Sequence, residues 1–455
     1  MSNNSLASHV MHRTLDAQPP VVVKGEGLLL HLSGGETVID ATGGAAVACL
    51  GHGNQRVADA IGRQAAKIGY AHTGFFSSEP AEALADLLVG HQPGGLTHAF
   101  FVSDGSVAME SALKLARQYH VERGEPQRVH YVSRNLSYHG NVFGTLAASG
   151  HKGRRSIYED VLPHNFSQVS PCFPYHYQGP GESDEAYVAR LAAELEDEFQ
   201  RIGPNKVIAF IAEPTVGATS GCVSAVPGYF SAMREICARH GVLLILDEIM
   251  CGMGRTGTTH AWEQEGVVPD IQAVAKGLGG GYQPIGGILV SAKVIEALSR
   301  GTGAFVHGHT YQAHPVACAG ALEVQRIIQE ENLVDRVVER GKLLGSLLNE
   351  RFGQHPFIGD IRGRGLFWAL EFVENKETRA PFAPEQNINW AIKQSALHNG
   401  LGIYPGGGTM DGVRGDHLLI APPYIVTNTE LEEIVDRLGR SIDAVFNSQK
   451  IGDGR

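Results

Sequence analysis

A mostly parallel α/β sheet with helices on both faces, joined to a smaller α+β region, is the fold that this chain predicts. Two observations carry the prediction. From about residue 54 to 325, short apolar runs alternate with stretches of helical periodicity, which is the pattern of strands covered on both faces. Two of those runs also end in residues with chemistry: Val242-Leu243-Leu244-Ile245-Leu246 leads into Asp247-Glu248, and Ile271-Gln272-Ala273-Val274-Ala275 leads into Lys276-Gly277. Both side chains would emerge at the carboxyl edge of one sheet, where open α/β folds place their ligands.

Taken in order, residues 1–53 read as a segment contributing to the smaller domain, 54–325 as the large α/β domain and 326–455 as the C-terminal α+β domain. Strands are predicted over 99–103, 128–132, 207–212, 242–246, 271–275 and 287–291. Between two of them Tyr229, Met233, Ile236 and Cys237 recur at helical spacing, and His240-Gly241 closes that helix. A charged helical stretch follows over 321–351, then short strands such as 366–372. The stretches 171–181 and 404–415, rich in Gly and Pro, read as loops, which can be plain connections or binding loops.

The composition narrows the partners. With 455 residues, 43% hydrophobic and 19% charged, the chain is long enough for two domains and ordinary for a globular protein. Its formal charge of −11 and its lack of clustered Lys and Arg argue against nucleic acid or an anionic membrane as the main partner, leaving small molecules. Six scattered cysteines form no Cys-x-x-Cys pair and no metal-ligand spacing, so no metal site is expected and the thiols read as small buried hydrophobes. The first twenty residues lack the apolar core of a signal peptide, and no run approaches eighteen apolar residues. A cytoplasmic location is the expectation.

An acid at a strand end can hold a pyridine nitrogen protonated, and a lysine there can form an imine with an aldehyde. Asp247 and Lys276 stand about one βαβ unit apart, so both can reach the same edge of adjoining strands. Ser103-Asp104-Gly105-Ser106 lies between a strand and a helix, where free N–H groups suit a phosphate or simply begin a capped helix. Asp104 is expected to point away from such an anion or to cap the helix. Tyr138 can stack on a cofactor or pack under a loop, and His139 reads first as a structural hydrogen-bonder. Glu213, at the end of the run 207–212, either positions a neighbour or caps the next segment, and Thr310 either binds phosphate or sits in an ordinary turn.

With these residues in view, the chain resembles the class III aminotransferases, pyridoxal phosphate enzymes of fold type I with a mostly parallel seven-stranded sheet. The resemblance rests on Leu246-Asp247-Glu248-Ile249, on Gly252-Met253-Gly254-Arg255-Thr256-Gly257 and on Ala275-Lys276-Gly277-Leu278-Gly279-Gly280-Gly281. It extends to Leu50-Gly51-His52-Gly53, Glu213-Pro214, His309-Thr310, His314-Pro315, Arg362-Gly363-Arg364-Gly365-Leu366 and Ala421-Pro422-Pro423. The family implies that Lys276 carries the imine and Asp247 pairs with the pyridinium. It also places Gly105 and Ser106 on the phosphate, Tyr138 on the ring, and His139, Glu213 and Ile249 around the cofactor. Thr310 would complete the phosphate site of another subunit, which implies a homodimer or a dimer of dimers.

Within the family, 2-oxoglutarate-using members often carry Glu-Pro-x-x-Gly-Glu, whereas this chain reads Glu213-Pro214-Thr215-Val216-Gly217-Ala218. That shifts the resemblance toward amine or ω-amino acid transaminases that use pyruvate, in which a mobile arginine reads the carboxylate. Arg414, just before Gly415-Asp416, is the candidate. Diaminopelargonate-type and 2-oxoglutarate-dependent enzymes, and decarboxylating, racemising or aminomutase relatives, are the alternatives.

Overall fold

The computed structural model describes residues 8–15 and 17–452, with side chains described as far as residue 447. Seven strands make the central sheet: β1 (Leu96–Val102), β2 (His130–Arg134), β3 (Phe166–Val169), β4 (Val207–Ala212), β5 (Leu243–Asp247), β6 (Ile271–Val274) and β7 (Gly286–Ser291). Their spatial order is β1-β7-β6-β5-β4-β2-β3. Every neighbouring pair is parallel except those of β7, which runs antiparallel to β6 and to β1.

The apolar runs are continuous because each strand feeds two cores. On β5, Leu244 and Leu246 join a core with Leu191, Phe199 and Phe230 of the helices Asp184–Ile202 and Tyr229–His240. Leu243 and Ile245 face the other way, onto Met109, Ala112 and Ala116 of the helix Gly105–Glu122.

Four details differ from the sequence reading. β3 lies outside the predicted strands: it is a four-residue edge strand, Phe166-Ser167-Gln168-Val169, whose polar middle breaks the apolar pattern. The stretch 321–351 belongs to two helices, Pro315–Glu330 and Leu333–Phe352, because Asn332 adopts a left-handed φ of 50° between them. The loop 404–415 begins with a strand, Tyr404–Gly407, in which backbone pairing with Asp416–Ile420 overrides a Gly-rich composition. The loop 171–181 contains the short helix Pro174–Tyr177.

Tyr404–Gly407 and Asp416–Ile420 complete an antiparallel four-stranded sheet with Ile358–Arg364 and Phe367–Phe372. A second four-stranded sheet combines Val22–Glu26, Leu29–Leu32 and Thr37–Asp40 with Leu401–Gly402, so the chain's beginning pairs with its last quarter. One core joins them: Ile39, Leu50 and Val57 pack with Leu344, Phe352, Leu370 and Leu438. Buried Arg255 sews three of the sequence motifs together, donating to the carbonyls of Leu366 and Pro422 at 3.0 and 2.6 Å and lying 4.6 Å from the centre of the Tyr424 ring. All six cysteines are buried and free. Among the described residues no helix is long and apolar enough to cross a membrane.

The antiparallel β7 brings its first residue against the turn that begins the helix Gly105–Glu122. A Cβ on Gly286 would stand 2.4 Å from the carbonyl oxygen of Asp104, whereas a Cβ on Gly62, inside the helix Gln55–Lys67, would meet nothing within 4 Å. Gly286→Ala should therefore destabilise the fold by about 1–3 kcal/mol. Gly62→Ala should stabilise it by roughly 0.5–1 kcal/mol, since it only removes the entropic cost of a helical glycine. Chemical denaturation of the two variants checks the opposite signs.

Candidate active site

The carboxyl ends of β4, β5 and β6 open into a cavity of about 610 Å³ lined by Lys276, Asp247, Glu213, Tyr138 and the turn 103–106. That volume lies within the range of roughly 300–1,000 Å³ usual for small-molecule sites. The parallel register of β5 and β6 pairs Asp247 with Ala273, so Lys276 rises on the next strand's extension toward the same space.

Asp247 is 4% exposed and held on both oxygens. Oδ1 accepts the backbone N–H of Ile249 at 3.0 Å, and Oδ2 lies 2.9 Å from Nδ1 of the buried His139, whose Nδ1–H tautomer donates to it. His139 is fixed in turn by its own N–H on Ser149 Oγ at 2.8 Å. It thus hydrogen-bonds, as the sequence suggested, and its partner is the central acid. The next residue, Glu248, turns away from the site and accepts the N–H groups of Ala261 and Trp262 and the amide of Gln272 at 2.6–2.8 Å.

Lys276 takes a left-handed φ of 44°, a strained conformation for a side-chain-bearing residue and one that clusters at functional sites. Its Nζ makes no hydrogen bond or ion pair with any described residue. Burial lowers its pKa, opposed by the negative charges of Asp247 and Glu213. The direction of that shift is toward the neutral amine, the form that reacts with an aldehyde.

Glu213 takes both of the roles left open for it, holding a neighbour in position and capping the segment that follows. One carboxylate oxygen accepts the N–H of Tyr138 and the other that of Gly217, both at 3.1 Å, and burial raises its pKa. Tyr138 is thereby presented to the cavity.

At the opposite wall Asp104 caps the helix Gly105–Glu122 by accepting the N–H of Val107 at 3.0 Å, which keeps its carboxylate occupied. Gly105 and Ser106 begin that helix, where free N–H groups and the positive end of the dipole favour an anion. Ser106 Oγ accepts the N–H of Asn141 at 3.1 Å. The loop can approach this closely because Gly140 has no side chain: a Cβ there would stand 2.4 Å from Thr145 Oγ1 and 3.0 Å from Ser106 Cα. Ile249 packs against Gly105, 3.0 Å from where a Cβ would lie.

Thr310 is not brought into this cavity: it lies on an exposed turn beside Tyr311, which is 62% exposed. Arg414 is not brought in either. Its Nε pairs with Asp411 at 2.7 Å and the side chain is half exposed. The cations that do line the cavity, Arg13 and Arg154, were missed in the sequence. The available signal for Arg154 was the basic run Lys152-Gly153-Arg154-Arg155 shortly after Tyr138-His139-Gly140, but a basic run alone reads as a solvated surface.

Comparison with known proteins places the chain in a family. Residues 10–442 match the family model described as aminotransferase class-III. An uncharacterized aminotransferase of Schizosaccharomyces pombe is 50% identical over 435 residues, covering 96% of this chain and 95% of that protein. A putrescine–pyruvate aminotransferase of Pseudomonas aeruginosa is 33% identical, covering 93% of this chain and 90% of that one. The crystal structure of the ω-transaminase from Pseudomonas jessenii in complex with PMP superposes with a TM-score of 0.91 at 32% identity, over 99% of each chain. The chain belongs to the class III aminotransferases, transaminases of fold type I that use pyridoxal phosphate.

Proposed function

We propose that the chain moves an amino group from an amine or ω-amino acid to pyruvate, in two half-reactions that share one site. The convergence of Lys276, Asp247 and the N-terminus of the helix Gly105–Glu122 on a single cavity carries this reading. These groups fit pyridoxal phosphate: an unpartnered amine for its aldehyde, a doubly braced carboxylate for its ring nitrogen, and helix-terminal N–H groups for its phosphate. Tyr138, held by Glu213, offers a ring face for stacking.

Pyridoxal phosphate, when bound, would supply an aldehyde for the amino group and a protonated ring able to hold an electron pair. Asp247 keeps the ring nitrogen's proton in place by charge, and His139 keeps the carboxylate aimed. Lys276 Nζ takes the proton from Cα and returns it to the carbon that needs it, and the lowered pKa favours the neutral amine this requires. In the second half-reaction the same groups run in reverse on the keto acid.

Ala218 supports a small keto acid acceptor. It lines the cavity with a methyl group where an acid would neutralise a cation, and the cavity's acids already have partners: Asp247 on His139, Glu213 on Tyr138 and Gly217, Asp104 on Val107. An anionic substrate therefore meets a guanidinium, that of Arg154, which none of these acids pairs with. A homodimer in the cytoplasm is proposed as the working form. Val306, Tyr311, Phe75 and Phe76 are 62–80% exposed near Thr310, a concentration of apolar surface of the kind that a second copy covers.

Incubated with an amine donor and pyruvate, the protein should produce alanine. Lys276→Ala should lower that turnover by several orders of magnitude, and Asp247→Asn should lower it by two or more while retaining most of the cofactor. Either variant matching the parent rate removes its residue from the mechanism. If Thr310 serves the neighbouring subunit's cofactor, dilution should release pyridoxal phosphate as the dimer parts, and Thr310→Ala should raise the cofactor's Kd. Equilibrium dialysis over a dilution series reads both effects.

A further inference from the structure

We infer that Arg154 is the group that reads the substrate's carboxylate. This rests on the transaminase reading above and deepens it to substrates bearing an anionic group. Arg154 closes the short helix Lys152–Arg155 and lines the cavity together with Lys276, Asp247 and Tyr138. Its guanidinium carbon lies 4.8 Å from the centre of the Tyr138 ring, which holds the flat cation by one face and leaves its N–H edge for another partner.

No described residue supplies that partner: Arg154 has no ion pair and its side chain makes no hydrogen bond, although it is half-buried. The adjacent arginine shows the difference. Arg155 is satisfied inside the protein, with both Glu159 oxygens at 2.9 Å and the Ser149 carbonyl at 2.8 Å. The helix that carries Arg154 is itself anchored. Gly153 N–H donates to the Gly412 carbonyl at 3.0 Å, and His151 Nε2 lies 3.1 Å from the Gly407 carbonyl. The positive charge of Arg154 also reaches the reacting centre, where it helps to lower the pKa of Lys276.

A half-desolvated, unpaired guanidinium in a cavity favours a planar anion, which it can grip through two parallel hydrogen bonds. The start of the helix at Gly105 and Ser106 would take the cofactor's phosphate, so the anion left for Arg154 is the carboxylate of the keto acid or amino acid. Arg13, the other cation at the cavity, is exposed and lies in a stretch without helix or strand, so it offers no comparably fixed geometry. Arg414 is already paired with Asp411.

The test uses holoenzyme of the parent, Arg154→Ala, Arg154→Lys and Arg414→Ala. Arg154→Ala should raise the KM for pyruvate by about tenfold or more, a change that exceeds any change in the half-reaction with an uncharged amine by at least tenfold, as loss of one charge-assisted contact requires. Arg154→Lys should recover part of the loss. Propionate, a carboxylate that cannot react, should bind Arg154→Ala correspondingly more weakly, and this readout holds whichever keto acid is the natural acceptor. If the parent makes no alanine from pyruvate, the acceptor assignment above fails while propionate binding still tests Arg154. Equal losses in both half-reactions, a weakened affinity for pyridoxal phosphate in place of a weakened affinity for propionate, or a raised pyruvate KM in Arg414→Ala alone would each overturn the inference.

Discussion

The hydrogen bonds on Asp247 are the constraint on which the site depends. A carboxylate at the end of a buried strand is costly unless its lone pairs are met, and here the Ile249 N–H and the His139 ring meet them while leaving the group on the cavity wall. The two donors come from different segments, one from the residues that follow β5 and one from the loop after β2. Aiming this acid therefore also fixes where Tyr138 and Gly140 stand. Glu213 at the end of β4 performs the matching task for the backbone of Tyr138. The site is a row of strand ends locked to one another by charge-assisted bonds before any ligand arrives, which is the preorganisation that electrostatic catalysis requires.

Lys276 is the exception to that satisfaction. Its backbone is strained and its amine is unpartnered and partly desolvated, all of which a stable fold would ordinarily avoid. The sheet holds it there because β6 lies between β5 and the antiparallel β7 and cannot shift without breaking the register of both. The strained backbone and unpartnered amine of Lys276, and the unpaired guanidinium of Arg154, mark where the molecule leaves groups available for a substrate.

Most of the sheet was legible because its strands are buried on both faces and so read as uninterrupted apolar runs. β5 and β6, together with the acid and lysine that end them, could be placed from the residues alone. β3 escaped because an edge strand needs no such run, and the break at Asn332 escaped because a left-handed residue between two helices leaves no gap in the apolar periodicity. The site divides in the same way. Asp247, Lys276 and the helix start at Gly105 are fixed by local position on strand and helix ends. The partnership of His139 with Asp247 and the entry of Arg154 into the cavity depend on how distant segments fold together, and no spacing rule reports that. Arg414 shows the converse: its position near Gly415-Asp416 is visible in the sequence, but its engagement by Asp411 is set by a turn that only the structure displays.

The central claim is that one lysine, selected by its place beside Asp247, holds the cofactor. Reducing the holoenzyme with borohydride and mapping the modified peptide by mass spectrometry tests it directly. A pyridoxyl group should appear on Lys276 and on no other lysine. Stoichiometric modification of a different lysine, or fully loaded enzyme from which reduction yields no modified lysine at all, would contradict it.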